Sequence, residues 1–346
     1  MNNKKIIIRE VKKSDFNLLA NYLSQSVVPK YSQDEYLRRF NFWWIVNPAF
    51  KINDKYGWII IDNSKKNYIK GFLGSIPAEY KINNSTLKTV SASTWIVSPK
   101  YRKYSIQLYF SFLKQKKDIF LNSTPADITS EIFIKTNFID IAKNQNNYLI
   151  LNSFKPILYL IKKYIKHHYA SALIAKLILF IYNILFNIKL DEKYLKNRYE
   201  LITSQSKIEK LLEKTTVKLM NLSWVLNADK NKFFLEILNK DGLYNYIYLQ
   251  YVNNPVNKLN YIQVLETDIF SGELLKNVVI EIAEKYNYNL DYIILYNLNR
   301  KFIFYGSFIR FNFLSRSKCL IKSDKMNVNK IIPNGALGEK GFIIWN

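Results

Sequence analysis

Two rhythms of apolar and polar residues alternate along this chain, and each switch between them marks an element. Ile6–Ile8 is a short apolar run that suits a strand. Apolar residues then recur at Phe16, Leu19, Ala20 and Leu23, the spacing of one helix face, behind Ser14 or Asp15 as a cap. YLRRFNFWWIVNP predicts a second helix that ends near Pro48, because the residue before a proline is pushed out of helical geometry. GWIIID (57–62) and KGFLGSIPAEYKI (70–82) predict strands joined by the polar turn NSKKN. VSASTWIVSP (90–99) predicts another strand, and IQLYFSFLKQ (106–115) a helix with Ile106, Tyr109, Phe110 and Leu113 on one face. A strand at DIFLNS (118–123), a helix at ADITSEIFIKTNF (126–138) and a strand at YLILN (148–152) complete the first half.

From about Tyr199 the order recurs. SKIEKLLEKT predicts a helix and the segment around Trp224 another. YNYIYLQYV (244–252) and NYIQVLET (260–267) predict strands, GELLKNVVIEIAEKY (272–286) a helix, DYIILYN (291–297) a strand and RKFIFYGSF (300–308) the close. Two short matches accompany the shared order. NFWWIVN (41–47) and NLSWVLN (221–227) place Trp44 and Trp224 alike, and KTNFI (135–139) and YGSFI (305–309) fall at matching ends. Short aromatic matches arise by coincidence, but here element order and end motifs agree as well. The pattern predicts one mixed α/β fold present twice, with the tryptophans packing in a core or between domains.

Length and composition support two domains. The chain has 346 residues, 49% of them apolar, with only 9 glycines and 8 prolines. Its single cysteine, Cys319, cannot form an internal disulfide, which fits a reducing compartment. Two histidines and one cysteine make a structural zinc site a poor fit. The apolar run in MNNKKIIIREVKKSDF is too short for a signal peptide. Lys and Arg outnumber Asp and Glu by 51 to 27, a formal net charge of +24. Part of this excess accompanies a general richness in Lys, Asn, Ile, Tyr and Phe. It still favours an anionic partner. The charge is uneven: no Asp or Glu lies between Asp140 and Asp191, a stretch that holds seven lysines.

The first half resembles the GCN5-related acyltransferase (GNAT) superfamily. The carrying residues are IIIREVKKSDFNLL, TWIVSPKYRKYSIQL and IFIKTNF, in the family's order over about residues 5–150. The whole chain resembles tandem-GNAT acyltransferases of bacterial polysaccharide and envelope pathways, the second half by architecture alone. The resemblance implies an acyl-CoA-binding domain at 1–150, a helical insert at 151–198 and a second GNAT-like domain at 199–346. The middle motif has a physical logic. A strand ends at Pro99, a short basic turn follows and a helix begins near Ile106. Amide groups at a helix N-terminus suit a pyrophosphate. In the family this turn is Arg/Gln-x-x-Gly-x-Gly/Ala and cradles coenzyme A. Here it is Arg102, Lys103, Tyr104, Ser105, Ile106 and Gln107. Ser105 and Gln107 depart from the small residues that let backbone approach a ligand. Lys100, Arg102 and Lys103 offer direct charge in compensation. A solvated basic turn is the alternative. By the same resemblance Ile96, Val97 and Ser98 offer backbone groups to the pantetheine arm. Asn122 and Ser123 stand at the neighbouring strand's end, either as a further cofactor or acceptor contact or simply ending the strand and capping the helix behind Pro125.

Amide formation requires loss of an amine proton and stabilisation of an oxyanion. Many family members carry a Tyr on the last helix beside the leaving thiolate. The matching position here is Phe133, which has no proton to donate. Glu79, Thr94 and Ser123 are the polar candidates that remain; such a Glu is more often a solvated strand residue. The second half has no counterpart of PKYR, so one cofactor site is expected. The insert holds a basic amphipathic segment (154–168) and an apolar one (169–188), predicting either contact with an anionic membrane surface or a buried interdomain helix. Lys176, Asn183 and Asn187 count against a membrane span. Three functions stand. The first is a CoA-dependent N-acyltransferase with acetyl-CoA or another acyl-CoA as co-substrate and no metal. It would act in the cytoplasm or at the inner membrane face, on an amino sugar or a lipid-linked envelope precursor. The second is a peptidyltransferase using aminoacyl-tRNA, which the charge suits. The third is a non-catalytic protein that kept the fold.

Overall fold

The computed structural model describes residues 6–27, 31–64, 68–82, 85–123, 125–141, 144–145 and 147–150 of the first half. In the insert it describes 157–158, 161–162 and 168–186. In the second half it describes 198–202, 204–212, 217–219, 222–228, 231–238, 244–254, 258–268, 272–295, 309–310, 316–317 and 319–325.

The first half begins with β1 (Ile6–Glu10), α1 (Phe16–Ser26) and α2 (Gln33–Phe40). Ser32 caps α2: its hydroxyl accepts from Glu35 N (3.1 Å), and the Glu35 carboxylate accepts from Ser32 N (2.6 Å). The helix expected to run through NFWWI widens instead into a π turn, Asn41–Ile45. That turn aims Trp44 inward, where Nε1 donates to the Ser75 carbonyl (2.9 Å). Then come β2 (Gly57–Asp62), β3 (Tyr68–Ile82), β4 (Ser85–Val97), α3 (Ser105–Leu113), β5 (Ile119–Asn122), α4 (Asp127–Lys135) and three short strands, β6 (Ile139–Asp140), β7 (Asn144–Gln145) and β8 (Asn147–Ile150). The insert contributes α5 (His168–Phe186); most of 154–167 lies outside the described residues. The second half has β9 (Arg198–Leu201), α6 (Gln205–Leu211), β10 (Val217–Leu219), α7 (Leu222–Ala228), β11 (Lys232–Leu238), β12 (Tyr244–Asn254) and β13 (Leu259–Thr267). It ends with α8 (Gly272–Lys285), β14 (Tyr292–Leu295), β15 (Ile309–Arg310), β16 (Arg316–Ser317) and β17 (Leu320–Lys322). The strand expected at 300–308 lies outside the described residues.

The helical rhythm read in α1 is observed, with Leu19, Ala20 and Leu23 fully buried. In α3 the buried stripe is rotated from the expected one. Leu108, Tyr109 and Phe112 face the sheet while Ile106 and Phe110 are exposed. This helix is apolar on most of its circumference, so periodicity alone does not select a face.

Two mixed sheets carry the fold, and their orders match. The first runs β1-β2-β3-β4-β5-β17-β6, and the second β9-β11-β12-β13-β14-β8-β15. The π turn with Trp44 and the helix α7 with Trp224 each precede the second strand of their sheet, as the repeat predicts. The sixth place of each sheet is filled from the other half. β17 pairs antiparallel with β5 and β6, and β8 pairs antiparallel with β14 and β15. A third crossing strand, β10, pairs with Tyr80–Ile82 of β3, beyond the end of β2. The boundaries expected at 150 and 199 are therefore corrected. Residues 147–150 belong to the second sheet, and 320–322 to the first. Alternation of residue types specifies a strand but not its partner.

The largest core joins the inner faces of both sheets. It links Leu19, Phe40 and Trp44 to Ile208, Val225, Phe234 and Tyr248. The Phe42 ring stacks on Trp224 at 4.5 Å and 25°, so the two matched segments meet. On the outer faces, α3 and α4 cover the first sheet and α8 covers the second.

Each half lacks a strand that the other supplies, so fragments 1–198 and 199–346 are each expected to melt without a cooperative transition when expressed alone. The full chain is expected to unfold in one step followed by circular dichroism. A cooperative melt from either isolated half contradicts this.

Asp118 secures the exchanged strand β17. Its carboxylate is ion-paired with Lys325 and accepts from Lys88 N (2.8 Å), and its carbonyl accepts from the Ser323 hydroxyl (2.8 Å). Burial by itself raises the Asp118 carboxyl, but the bonds from Lys325 and Lys88 outweigh it and hold the group below the usual carboxylate range. With the folded value depressed, the stabilisation is present above the unfolded pKa of about 3.9 and is lost as pH falls through the lower folded value. Asp118→Asn is therefore expected to lower the melting temperature at neutral pH and to shrink the difference between neutral and acid melts.

Candidate functional site

The site opens where β4 leaves β5. The two pair in parallel at Thr89–Ile119, Val90–Phe120 and Ser91–Leu121, and no further among the described residues. β4 runs on to Val97 with β3 alone beside it. The divergence has a local cause. Ser93 pairs with Gly74 and Ile96 with Phe72, so β4 carries one extra residue there. Thr94 takes a left-handed φ of 48°, an unfavourable conformation for a β-branched residue. Such a bulge sharpens the local twist and turns β4 away. On the other side, Asn122 ends β5 paired with Leu320 of the exchanged strand. The β5-facing backbone edge of residues 93–97 is thus left beside a gap whose far wall ends at Asn122 and Ser123, both buried.

A basic turn closes one end of the gap. Ser98 N donates to the Lys70 carbonyl (2.9 Å), Pro99–Tyr104 forms a 3₁₀ turn and α3 follows from Ser105. Pro99 suits a first helical position because it has no N–H to leave unpaired. No side chain caps the N-terminal amides of the turn or of α3. Lys100, Arg102 and Lys103 are exposed, Ser105 and Tyr104 are half-buried, and the side chains of Ile106 and Gln107 project to solvent. Positive charge and outward amides therefore coincide.

The turn is anchored from beneath by residues that the sequence reading did not single out. The Tyr101 hydroxyl donates to Asp62 Oδ2 (2.5 Å), and Asp62 Oδ1 also accepts from Ser64 N (3.0 Å) and Oγ (2.6 Å). Asp62 is 3% exposed, at the end of β2. Tyr22 of α1 shares a hydrogen bond with the Ser98 hydroxyl (3.3 Å). The bond to Asp62, then burial, raise the Tyr101 phenol, so it stays protonated and holds the turn at neutral pH.

Aromatic rings line the helical side of the gap. Trp95 stacks on Tyr109 (5.3 Å, 12°), Tyr109 packs against Phe133 (4.9 Å) and Phe133 against Phe138 (4.7 Å). Phe133 is fully buried and supplies no acid. The Tyr109 hydroxyl is bonded to Thr136 Oγ1. Trp95 Nε1 is buried with no hydrogen-bond partner among the described residues, a donor beside the widening strands.

The structure brings Thr94, Ile96, Val97, Ser98, Asn122, Ser123 and the Arg102–Ile106 turn to one end of the first sheet. Glu79 is not among them. It lies opposite Lys88, six positions along β4 from Thr94, about 20 Å at strand spacing. That separation removes it from the site. A cavity of about 360 Å³ lies at the other end of α3, between Lys114–Lys117 and Asn53–Lys55, away from the gap.

The second sheet repeats part of this geometry. Leu249 pairs with Val264 and Tyr248 with Glu266, so β13 carries one extra residue just past its last pair with β14. The residue after this strand is Asp268, whose carboxylate accepts from Tyr246 N (2.7 Å).

No family model and no curated protein matches the chain. Solved structures do. N-myristoyltransferase of Saccharomyces cerevisiae, solved with bound myristoyl-CoA, aligns over 95% of this chain and 83% of its own at 11% identity, with a TM-score of 0.54. A GCN5-related N-acetyltransferase from Kribbella flavida aligns over 92% of this chain and 71% of its own at 7% identity and a TM-score of 0.56. One from Anabaena variabilis aligns over 92% and 72% at 11% identity and 0.53.

Tyr101→Phe removes a donor from the buried Asp62 carboxylate and is expected to lower the midpoint of denaturant titrations. Arg102→Ala, on the exposed face of the same turn, is expected to stay within about 0.5 kcal/mol of the wild type.

Taken with the matched order of the two sheets, these alignments show that the chain has the fold of the GCN5-related N-acetyltransferases.

Proposed function

We propose that the chain is an acyl-CoA-dependent N-acyltransferase with one cofactor site, in the first half. The observation that carries this reading is the parting of β4 from β5 beside a basic turn with uncapped amides. An extended thioester needs a backbone edge to lie along and an anion site for its pyrophosphate. Residues 93–98 supply the edge, and Lys100, Arg102 and Lys103 with the turn amides supply the anion site. The fold shared with N-acetyltransferases and with a protein solved holding myristoyl-CoA supports the same donor class.

In this reading the acyl group is acetyl, and the acceptor is an amine on an amino sugar or a related envelope precursor. The amine nitrogen attacks the thioester carbon, the new C–N bond replaces the C–S bond, and CoA thiolate leaves. The amine's proton goes to solvent or to a nearby polar group. Ser123 and Thr94 are polar candidates at the gap, and the unpartnered Trp95 Nε1 is a candidate donor for the oxyanion. With Phe133 in the acid position, the thiolate leaves without a phenolic proton.

Calorimetry with acetyl-CoA, CoA and tRNA in parallel tests the reading. Acetyl-CoA and CoA are expected to bind, and Arg102→Ala to weaken both by roughly 10- to 150-fold, the value of one charge-assisted contact of about 1.5–3 kcal/mol. Unchanged CoA affinity in folded Arg102→Ala places the cofactor elsewhere. Binding of tRNA alone overturns the proposal in favour of an aminoacyl donor.

A further inference from the structure

The insert helix α5 is built inside out. Its fully buried positions are small, Ser171 and Ala175, both with no measurable exposure. At 100° per residue these two lie on one face. Leu173, Leu177 and Phe180 lie together on the opposite face, and they are 72%, 57% and 63% exposed. Ile178, one turn on from Ala175 along the face of the small residues, is 39% exposed. A water-facing helix normally carries its large apolar residues inward. Here three of them form a ridge about 10 Å long facing solvent. Its rim is basic: Lys176 is exposed one step from Leu173 and Phe180 on the helix surface. The sequence from Ile141 to Leu190 contains no carboxylate.

We infer that this ridge is a docking surface for an anionic lipid bilayer. The occupant must accept large apolar side chains and cations at the same depth. The headgroup region of an anionic leaflet does both, since apolar residues enter the acyl boundary while lysines reach the phosphates. A second copy of this chain fits the charge badly, because each copy brings its own lysines to the contact and a formal charge of +24. A nucleic acid fits the lysines but leaves the ridge wet. Contact lies in the membrane plane: among the described residues no helix is long and apolar enough to cross a membrane. The inference stands on α5 alone and is independent of the proposed reaction.

Cosedimentation with phosphatidylcholine vesicles, with and without phosphatidylglycerol, tests it on the full chain. The wild type is expected to pellet with anionic vesicles at low salt, weakly with neutral ones, and less at high salt. Replacing Leu173, Leu177 and Phe180 together by Ser is expected to lower partitioning by about tenfold or more, with an unchanged melting temperature because the three are exposed. Lys176→Glu is expected to lower it on anionic vesicles only. Wild type left in the supernatant with anionic vesicles at low salt overturns the inference. So does a triple variant that folds and binds as before. Sedimentation equilibrium supplies the remaining outcome. A wild-type dimer that the triple variant dissociates assigns the ridge to a second copy and overturns the membrane reading.

Discussion

Backbone hydrogen bonding across the exchanged strands is the constraint on which the rest of this structure depends. β5 and β6 stand one strand apart, as do β14 and β15. Left open, each gap would present unpaired N–H and C=O groups on both sides, and buried groups of this kind are costly. β17 and β8 fill the gaps, each supplied by the opposite half. The consequence reaches the site. Asn122, at the far wall of the gap, is held by its pairing with Leu320, so the geometry of the first-half site depends on a strand nearly two hundred residues further on. The shared core around Phe42 and Trp224 follows from the same exchange, since halves that trade strands cannot separate.

Much of the local architecture was legible in the sequence. The element order of the first half, the basic turn after VSP and the equivalent placement of Trp44 and Trp224 follow from periodicity and turn chemistry, whereas β9, β10 and β11 of the second half were not read from the sequence. Those signals act within a few residues. The exchange does not, because β8 and β17 are four and three residues long and nothing in YLI or LIK names a partner. Glu79 fails for a related reason. Its spacing from Ser93 in sequence says nothing of register, and the ladder sets it opposite Lys88. Asp62 and Tyr101 were equally hidden, since their hydrogen bond joins positions 39 residues apart. A Tyr between the cations of PKYRKY was the available hint.

Strain and support meet at the bulge. Thr94 holds a backbone conformation that β-branched residues avoid, and such residues persist only where neighbours over-determine them. The neighbours are identifiable. β3 pairs on both sides of the bulge, Ser98 is tied to Lys70, and Tyr101 is tied to Asp62. Trp95, the residue after Thr94, is fixed by stacking on Tyr109. Packing therefore keeps β4 turned away from β5, so the gap is preformed and needs no ligand to open it.

The second half shows which part of the site duplication alone supplies. Its β13 has the same extra residue past its last pair with β14, so the geometric device was copied. The charge was not. Where Val97 is followed by Ser98, Pro99 and a turn with three cations, Thr267 is followed by Asp268, whose carboxylate is bonded to the Tyr246 amide. The Thr267 hydroxyl donates to the Tyr246 carbonyl as well (2.8 Å), tying the strand end back to β12. An anion approaching that end meets a fixed negative charge in place of lysine and arginine. Like charges repel, so the two strand ends present opposite electrostatics to an anion. The two copies thus differ in the charge that follows the bulge, and the bulge is common to both.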